Sequence, residues 1–64
     1  MHIDKIDVMH HISQLLFSLE KYKESLKVLY ELYEVLKQNN YDKNTIQITL
    51  ANIGSVTERI LNQQ

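Results

Sequence analysis

The side chains in this sequence best suited to chemistry are its histidines. His10 and His11 are adjacent, and Asp7 lies three and four residues before them. On a helix, neighbouring residues point about 100° apart, so His10 and His11 do not converge on one point. Asp7 and His11 share a face and could form the edge of a metal site. Such a site needs three or four ligands. His2, eight residues before His10, is one loose candidate, and no further histidine or acidic cluster at helical spacing follows. No metal and no cofactor is therefore expected. A proton- or metal-responsive contact at Asp7, His10 and His11 is a rival reading, because histidine titrates near neutrality.

Other chemistry has less to work with. The chain has no cysteine, which removes thiolate nucleophiles, disulfides and thiolate metal sites together and fits a reducing compartment. A serine nucleophile would need a histidine base and a strained turn to present it, whereas Ser13 falls within a helical stripe. Glu20, Glu24, Glu31 and Glu34 alternate with lysines as on a wet helix face, and do not pair as acid–base catalysis in a dry cleft requires. No catalytic residue and no enzyme activity is expected. The formal net charge of −1 gives no pull towards nucleic acid or anionic lipid. Lys21, Lys23 and Lys27 cluster, but Glu20, Glu24 and Glu31 dilute their field, and Arg59 is the only cation expected on the third helix, a poor equipment for a major groove. Nucleic acid is not an expected partner; a small DNA-binding or DNA-mimicking regulator is the alternative function. Met1–Lys5 lacks a basic leader and apolar run, and no apolar run approaches the ~18–20 residues of a membrane span. The chain is expected to be cytoplasmic, with no membrane partner.

The elements that position these residues follow from punctuation and periodicity. Proline is absent and Gly54 is the only glycine, so the turn chemistry that a sheet requires is missing. The expected fold class is all-α: one domain, 1–64, with helices at about 4–18, 21–38 and 45–62. In the first, Ile3, Ile6, Met9, Ile12, Leu15, Leu16 and Leu19 fall at three-and-four spacing, and Asp4 can cap its start. Ser18-Leu19-Glu20 is a short connection in which Ser18 can cap the next helix, although nothing there forces a break and a continuous helix is the alternative. In the second helix Tyr22, Leu26, Leu29, Tyr33 and Leu36 form one stripe, widened by Val28, Leu32 and Val35. Pairs Lys27/Glu31 and Glu24/Lys27 add helix-surface attraction. Asn39-Asn40 ends it, since asparagine tolerates the left-handed conformation. Asp42 or Asn44 can cap the third helix. Thr45–Thr49 alternates like a strand and is rich in β-branched residues, but Leu50, Ile53, Val56 or Thr57, and Ile60 resume helical spacing. Gly54 then lies inside that helix, at a cost of about 1 kcal/mol against alanine that calls for a packing reason.

One set of residues carries a family likeness. Met9, Ile12-Ser13 and Leu16 are followed by Glu20, Tyr22 and Ser25, and Leu50–Thr57 starts the pattern again, with Ile53-Gly54 echoing Ile12-Ser13. This resembles a tetratricopeptide repeat followed by the first helix of a second. The departures are Glu20 for the turn glycine, Leu32 for a later alanine and the lack of the terminal proline. The offset from Ser13 to Gly54 is 41 residues, against about 34 in the family. The resemblance implies an antiparallel helical hairpin plus a third helix, with Ser13, Ser25 and Gly54 at close helix–helix contacts. A plain three-helix bundle is the other arrangement considered. An array of about one and a half repeats falls below the ~3 that are usually stable, which would leave an unfinished edge to be paired.

The same shortage follows from size. A chain of 64 residues buries only ~60 % of its unfolded surface, and without disulfide or metal a partner is the remaining source of stability. The second helix is apolar beyond one stripe. Either both neighbours wrap it, or Tyr30 and Tyr33 form a contact patch, a use that suits tyrosine. From Asn44 onward only Glu58 and Arg59 are charged, and the neutral face near Ile48, Asn52 and Ser55 fits a homodimer or groove-binding surface. The expected function is a non-enzymatic protein–protein interaction module: a small helical adaptor, inhibitor or chaperone-like regulator. Its expected partners are a second copy, a larger protein, or both.

Overall fold

A computed structural model describes residues 4–63; His2 and Ile3, the loose ligand candidate and the first residue of the expected apolar stripe, lie outside them. Among the described residues there are three helices and no strands: α1 (Lys5–Ser18), α2 (Tyr22–Gln38) and α3 (Lys43–Asn62).

The helix ends have local causes. Asp4 caps α1, its Oδ1 accepting from the Ile6 amide at 2.9 Å. α1 then stops at a turn in which the Lys21 amide donates to the Leu16 carbonyl at 2.9 Å and the Glu20 amide to Phe17 at 3.0 Å, with Glu20 left-handed at φ 61°. This is the Schellman arrangement, and it breaks the continuous helix that periodicity alone left open. Glu20 is the position that the resemblance assigns to a turn glycine, and its positive φ is the conformation for which glycine would be the least strained residue. Ser18 does not cap α2: it ends α1 and its hydroxyl donates back to Gln14, while Lys21 precedes α2 without a side-chain cap. The second turn repeats the first, with Asn40 at φ 55° and the Tyr41 amide donating to Leu36 at 3.1 Å.

α3 starts two residues earlier than the spacing suggests. Asp42, not Asn44, caps it, its carboxylate taking the Thr45 hydroxyl at 2.8 Å and the Thr45 amide at 3.1 Å. These two bonds, the hydroxyl first, hold the Asp42 carboxyl below its ordinary pKa. The strand-like Thr45–Thr49 segment is helical. Its threonine hydroxyls are absorbed locally, Thr45 by Asp42 and the fully buried Thr49 by the Thr45 carbonyl at 3.1 Å.

Packing centres on α2. Its buried row is Tyr22, Ser25, Leu29, Leu32 and Leu36, rotated from the expected stripe because Ser25 and Leu32 take the central places; Leu26 and Tyr33 are half-buried, as are Val28 and Val35. One cluster joins Tyr22 and Leu29 to Ile53 and Val56, with Phe17, Leu26, Tyr33 and Ile60 against it. The other joins Ile6 to Leu32 and Leu36, with Met9, Val35 and Ile46 against it. The start of α1 thus meets the end of α2, and the end of α3 meets the start of α2, so successive helices run in opposite directions. α2 packs along both neighbours, whereas α1 and α3 meet only marginally. Among the described residues no helix is long and apolar enough to cross a membrane. Of the surface ion pairs expected on α2, neither Lys27/Glu31 nor Glu24/Lys27 forms; among the described residues Lys37 and Glu34, 3.9 Å apart, are the ion pair.

Candidate interaction surfaces

Two serines meet where α1 crosses α2. Ser13 on α1 and Ser25 on α2 are both buried, and the Ser25 hydroxyl donates to the Ser13 carbonyl at 2.8 Å across the helix pair. The Ser13 hydroxyl turns back to the His10 carbonyl at 2.8 Å. Small side chains let the backbones approach and also satisfy their own polar atoms; no buried side-chain nitrogen or oxygen among the described residues lacks a partner. Gly54 departs from the expectation that placed it in a similar contact. It is exposed, and a Cβ built on it would meet nothing within 4 Å. Among the described residues no packing contact offsets its helix cost, because the face of α3 that meets α2 is carried by Thr49, Ile53 and Val56.

A shallow cleft of about 280 Å³ opens between α1 and α3 over the floor of α2. Ser13, Gln14 and Phe17 form one wall, Asn52, Ser55 and Val56 the other, and Ser25 and Leu29 the floor. Phe17 packs edge-on against Tyr22, ring centres 5.2 Å apart, and the Arg59 guanidinium reaches over the Phe17 ring at 5.8 Å. The Phe17–Arg59 contact links α1 to α3 at this end. None of the lining side chains titrates, and of the three serines Ser13 and Ser25 are held in internal hydrogen bonds. The cleft can accept apolar and hydrogen-bonding groups, but it presents no acid, base or activated nucleophile.

The five residues expected at an interface fall into separate places. Asn52 and Ser55 lie together in the cleft wall, and Ile48, one turn before Asn52, is exposed. Tyr30 is exposed and Tyr33 half-buried; neither lines the cleft, and Tyr33 packs on the cluster of Leu29 and Ile53 while Lys37 caps its ring at 5.0 Å. The histidines do not converge. His11 Nδ1 lies 2.8 Å from the Asp7 carbonyl oxygen of its own helix, and among the described residues no three His, Cys, Asp or Glu side chains are grouped to hold an ion.

An exposed aliphatic stripe on α1 was not singled out by composition. Val8, Ile12, Leu15 and Leu19 on α1 are 39, 43, 60 and 58 % exposed. The expected stripe groups Ile12, Leu15 and Leu19 with Ile6, Met9 and Leu16 and leaves out Val8, but α1 carries two overlapping stripes, and only the one through Ile6, Met9, Ser13 and Leu16 turns inward. A separate count of the 8-12-15-19 series would have revealed the second. On α3, Leu50 and Leu61 flank Gly54 and are also exposed. Compared with known protein families, characterised proteins and solved structures, the chain matches none.

Proposed function

We propose that this chain is a non-enzymatic protein–protein interaction module, a small helical adaptor, inhibitor or chaperone-like regulator that docks on another protein chain. The observation that carries this reading is the aliphatic stripe of α1. Its four exposures amount to about two fully exposed aliphatic side chains, worth roughly 3–6 kcal/mol when covered, before the costs of association are subtracted. Single exposed apolar residues are ordinary, but a contiguous set on one helix face marks an interaction surface.

The arrangement of helices supports the same reading. The Cα envelope measures 38 × 26 × 14 Å. Helices packed ~8–10 Å apart in a row span roughly 20–25 Å between outer Cα atoms, while a closed triangle would be roughly 14 Å in both cross-directions. An open row suits a tetratricopeptide-like hairpin followed by the first helix of a second unit. Such a row has two uncovered edges, α1 with its stripe and α3 with Leu50, Gly54 and Leu61. A homodimer, a larger partner, or both would cover them.

Site-specific photocrosslinking tests the proposal. A photoreactive residue placed at Leu15, Ile48 or Tyr30 should yield discrete covalent protein adducts in producing cells, and the same residue at Lys23 should not. Absence of adducts above that control at every position refutes the reading, and the mass of each adduct separates a second copy from a foreign chain.

A further inference from the structure

The stripe on α1 has a spacing that a second copy of the same helix can match. Val8, Ile12, Leu15 and Leu19 follow at spacings of four, three and four residues, a series that reads the same from either end. A two-fold axis crossing the helix between Ile12 and Leu15 sets Ile12 against Leu15 of the partner subunit and Val8 against Leu19 of the partner subunit. Every aliphatic side chain then meets an aliphatic one, in the alternation of an antiparallel helix seam. We infer that this face docks a second copy of the chain, α1 against α1 in antiparallel register; the inference rests on the reading of the chain as an interaction module.

The lack of charge along the stripe supports that choice of partner. From Val8 to Leu19 the helix carries no Lys, Arg, Asp or Glu, and interface centres are depleted in such residues. Lys5 continues the stripe seven residues before Ile12, and Glu20 follows Leu19. Antiparallel docking brings Lys5, with Asp4 and Asp7 beside it, to the end that holds Glu20 and Lys21 of the partner subunit, so that charges of both signs meet there. Parallel docking would set Lys5 against Lys5 and align the helix dipoles unfavourably.

Area sets the strength. The exposed parts of the four side chains come to roughly 300 Å² per copy, so a two-fold contact removes roughly 600 Å² of aliphatic surface from water. Homodimer interfaces are about 65 % apolar, which scales the whole contact to about 900 Å². This lies close to the ~1,000 Å² at which specific interfaces begin, the size of a reversible dimer and not of an obligate one.

Sedimentation equilibrium of the full chain is the test. The wild type should pass from monomer to dimer between ~10 μM and ~500 μM. Leu15→Lys, at an exposed position that leaves the core intact, should keep its helical circular dichroism and weaken dimerisation at least ~10-fold. Leu61→Lys on the opposite edge should leave it unchanged. The chain has no cysteine of its own, so engineered thiols report register. Oxidising a mixture of Ile12→Cys and Leu15→Cys chains should give the mixed disulfide in preference to either homodimer. A wild type that stays monomeric throughout overturns the inference, while photocrosslinks to a foreign chain would still uphold the interaction module. Loss of the dimer through Leu61→Lys but not Leu15→Lys overturns it by placing the contact on α3, and preferred 12–12 and 15–15 disulfides overturn the antiparallel register.

Discussion

Gly54→Ala should make this protein more stable, and by an amount the structure fixes. Gly54 lies inside α3, a helix of 20 residues, is exposed, and has ordinary negative φ. Alanine therefore adopts its backbone conformation without strain. The added methyl group would meet no atom within 4 Å, so no packing loss offsets the gain. What remains is helix propensity, about 0.8–1.0 kcal/mol in a helix interior, much of it from the unfolded chain, where glycine has more states to lose. In a domain of this size 1 kcal/mol corresponds to a rise of about 4–8 °C in Tm. Thermal melts at low protein concentration, read by circular dichroism at 222 nm, measure it, and urea unfolding should move to a higher midpoint with an unchanged slope. An unchanged or lowered Tm in the monomer would refute the reasoning, because it would mean that Gly54 sits in a contact within the chain. A stabilised monomer that loses crosslinked adducts would instead place a partner's backbone against this glycine.

Three further predictions follow from the turns and the crossing. Glu20→Gly should stabilise by roughly 0.5–1 kcal/mol, since a left-handed L-residue costs roughly 1–2 kcal/mol and glycine's extra unfolded entropy returns part of that; a lower urea midpoint would count against the assigned turn. Ser25→Ala should destabilise by about 1 kcal/mol through loss of the buried bond to the Ser13 carbonyl, and a neutral outcome in the same urea assay would show that the bond contributes nothing. Asp42 has a folded pKa below its ordinary value, so its contribution is present above the carboxylate range and is lost as pH falls through it, below about pH 4. Asp42→Asn should remove that component, and a wild-type-minus-variant Tm difference that stays constant from neutral to acid pH would contradict it.

Much of the fold was legible in residues that stop helices. Asn40 and the absence of proline marked real features, and α2 is bounded almost as its periodicity suggests. Glu20 was harder to read, because nothing in a glutamate announces a left-handed turn; the signal lay in its place between two apolar stripes. Thr45–Thr49 misled in the other direction. β-Branched alternation is a statement about side-chain packing on a sheet, and here no second strand exists to reward it, while Asp42 supplies a cap. Of the candidate surface, Asn52 and Ser55 share one wall, but Tyr33 turns towards the core, and the spacing in α1 does not say that Ile12, Leu15 and Leu19 part from Ile6, Met9 and Leu16 to face outward.

That division of α1 into two stripes has a definite physical origin. Helical spacing identifies which residues share a face, but the rotation of the helix about its axis decides which face is covered. In α1 that rotation is set by Ser13, whose small side chain allows the approach to Ser25 and whose carbonyl accepts the Ser25 hydroxyl at 2.8 Å. Once Ser13 points at α2, Ile12, about 100° away on the helix, is turned aside, and Val8, Leu15 and Leu19 go with it. A larger apolar residue at position 13 would have made the opposite rotation competitive and brought Ile12 inward. The serine pair that closes the α1–α2 crossing therefore also creates the outward stripe. Interior packing and the exposed stripe are thus two consequences of one contact, and Ser25→Ala is expected to loosen both.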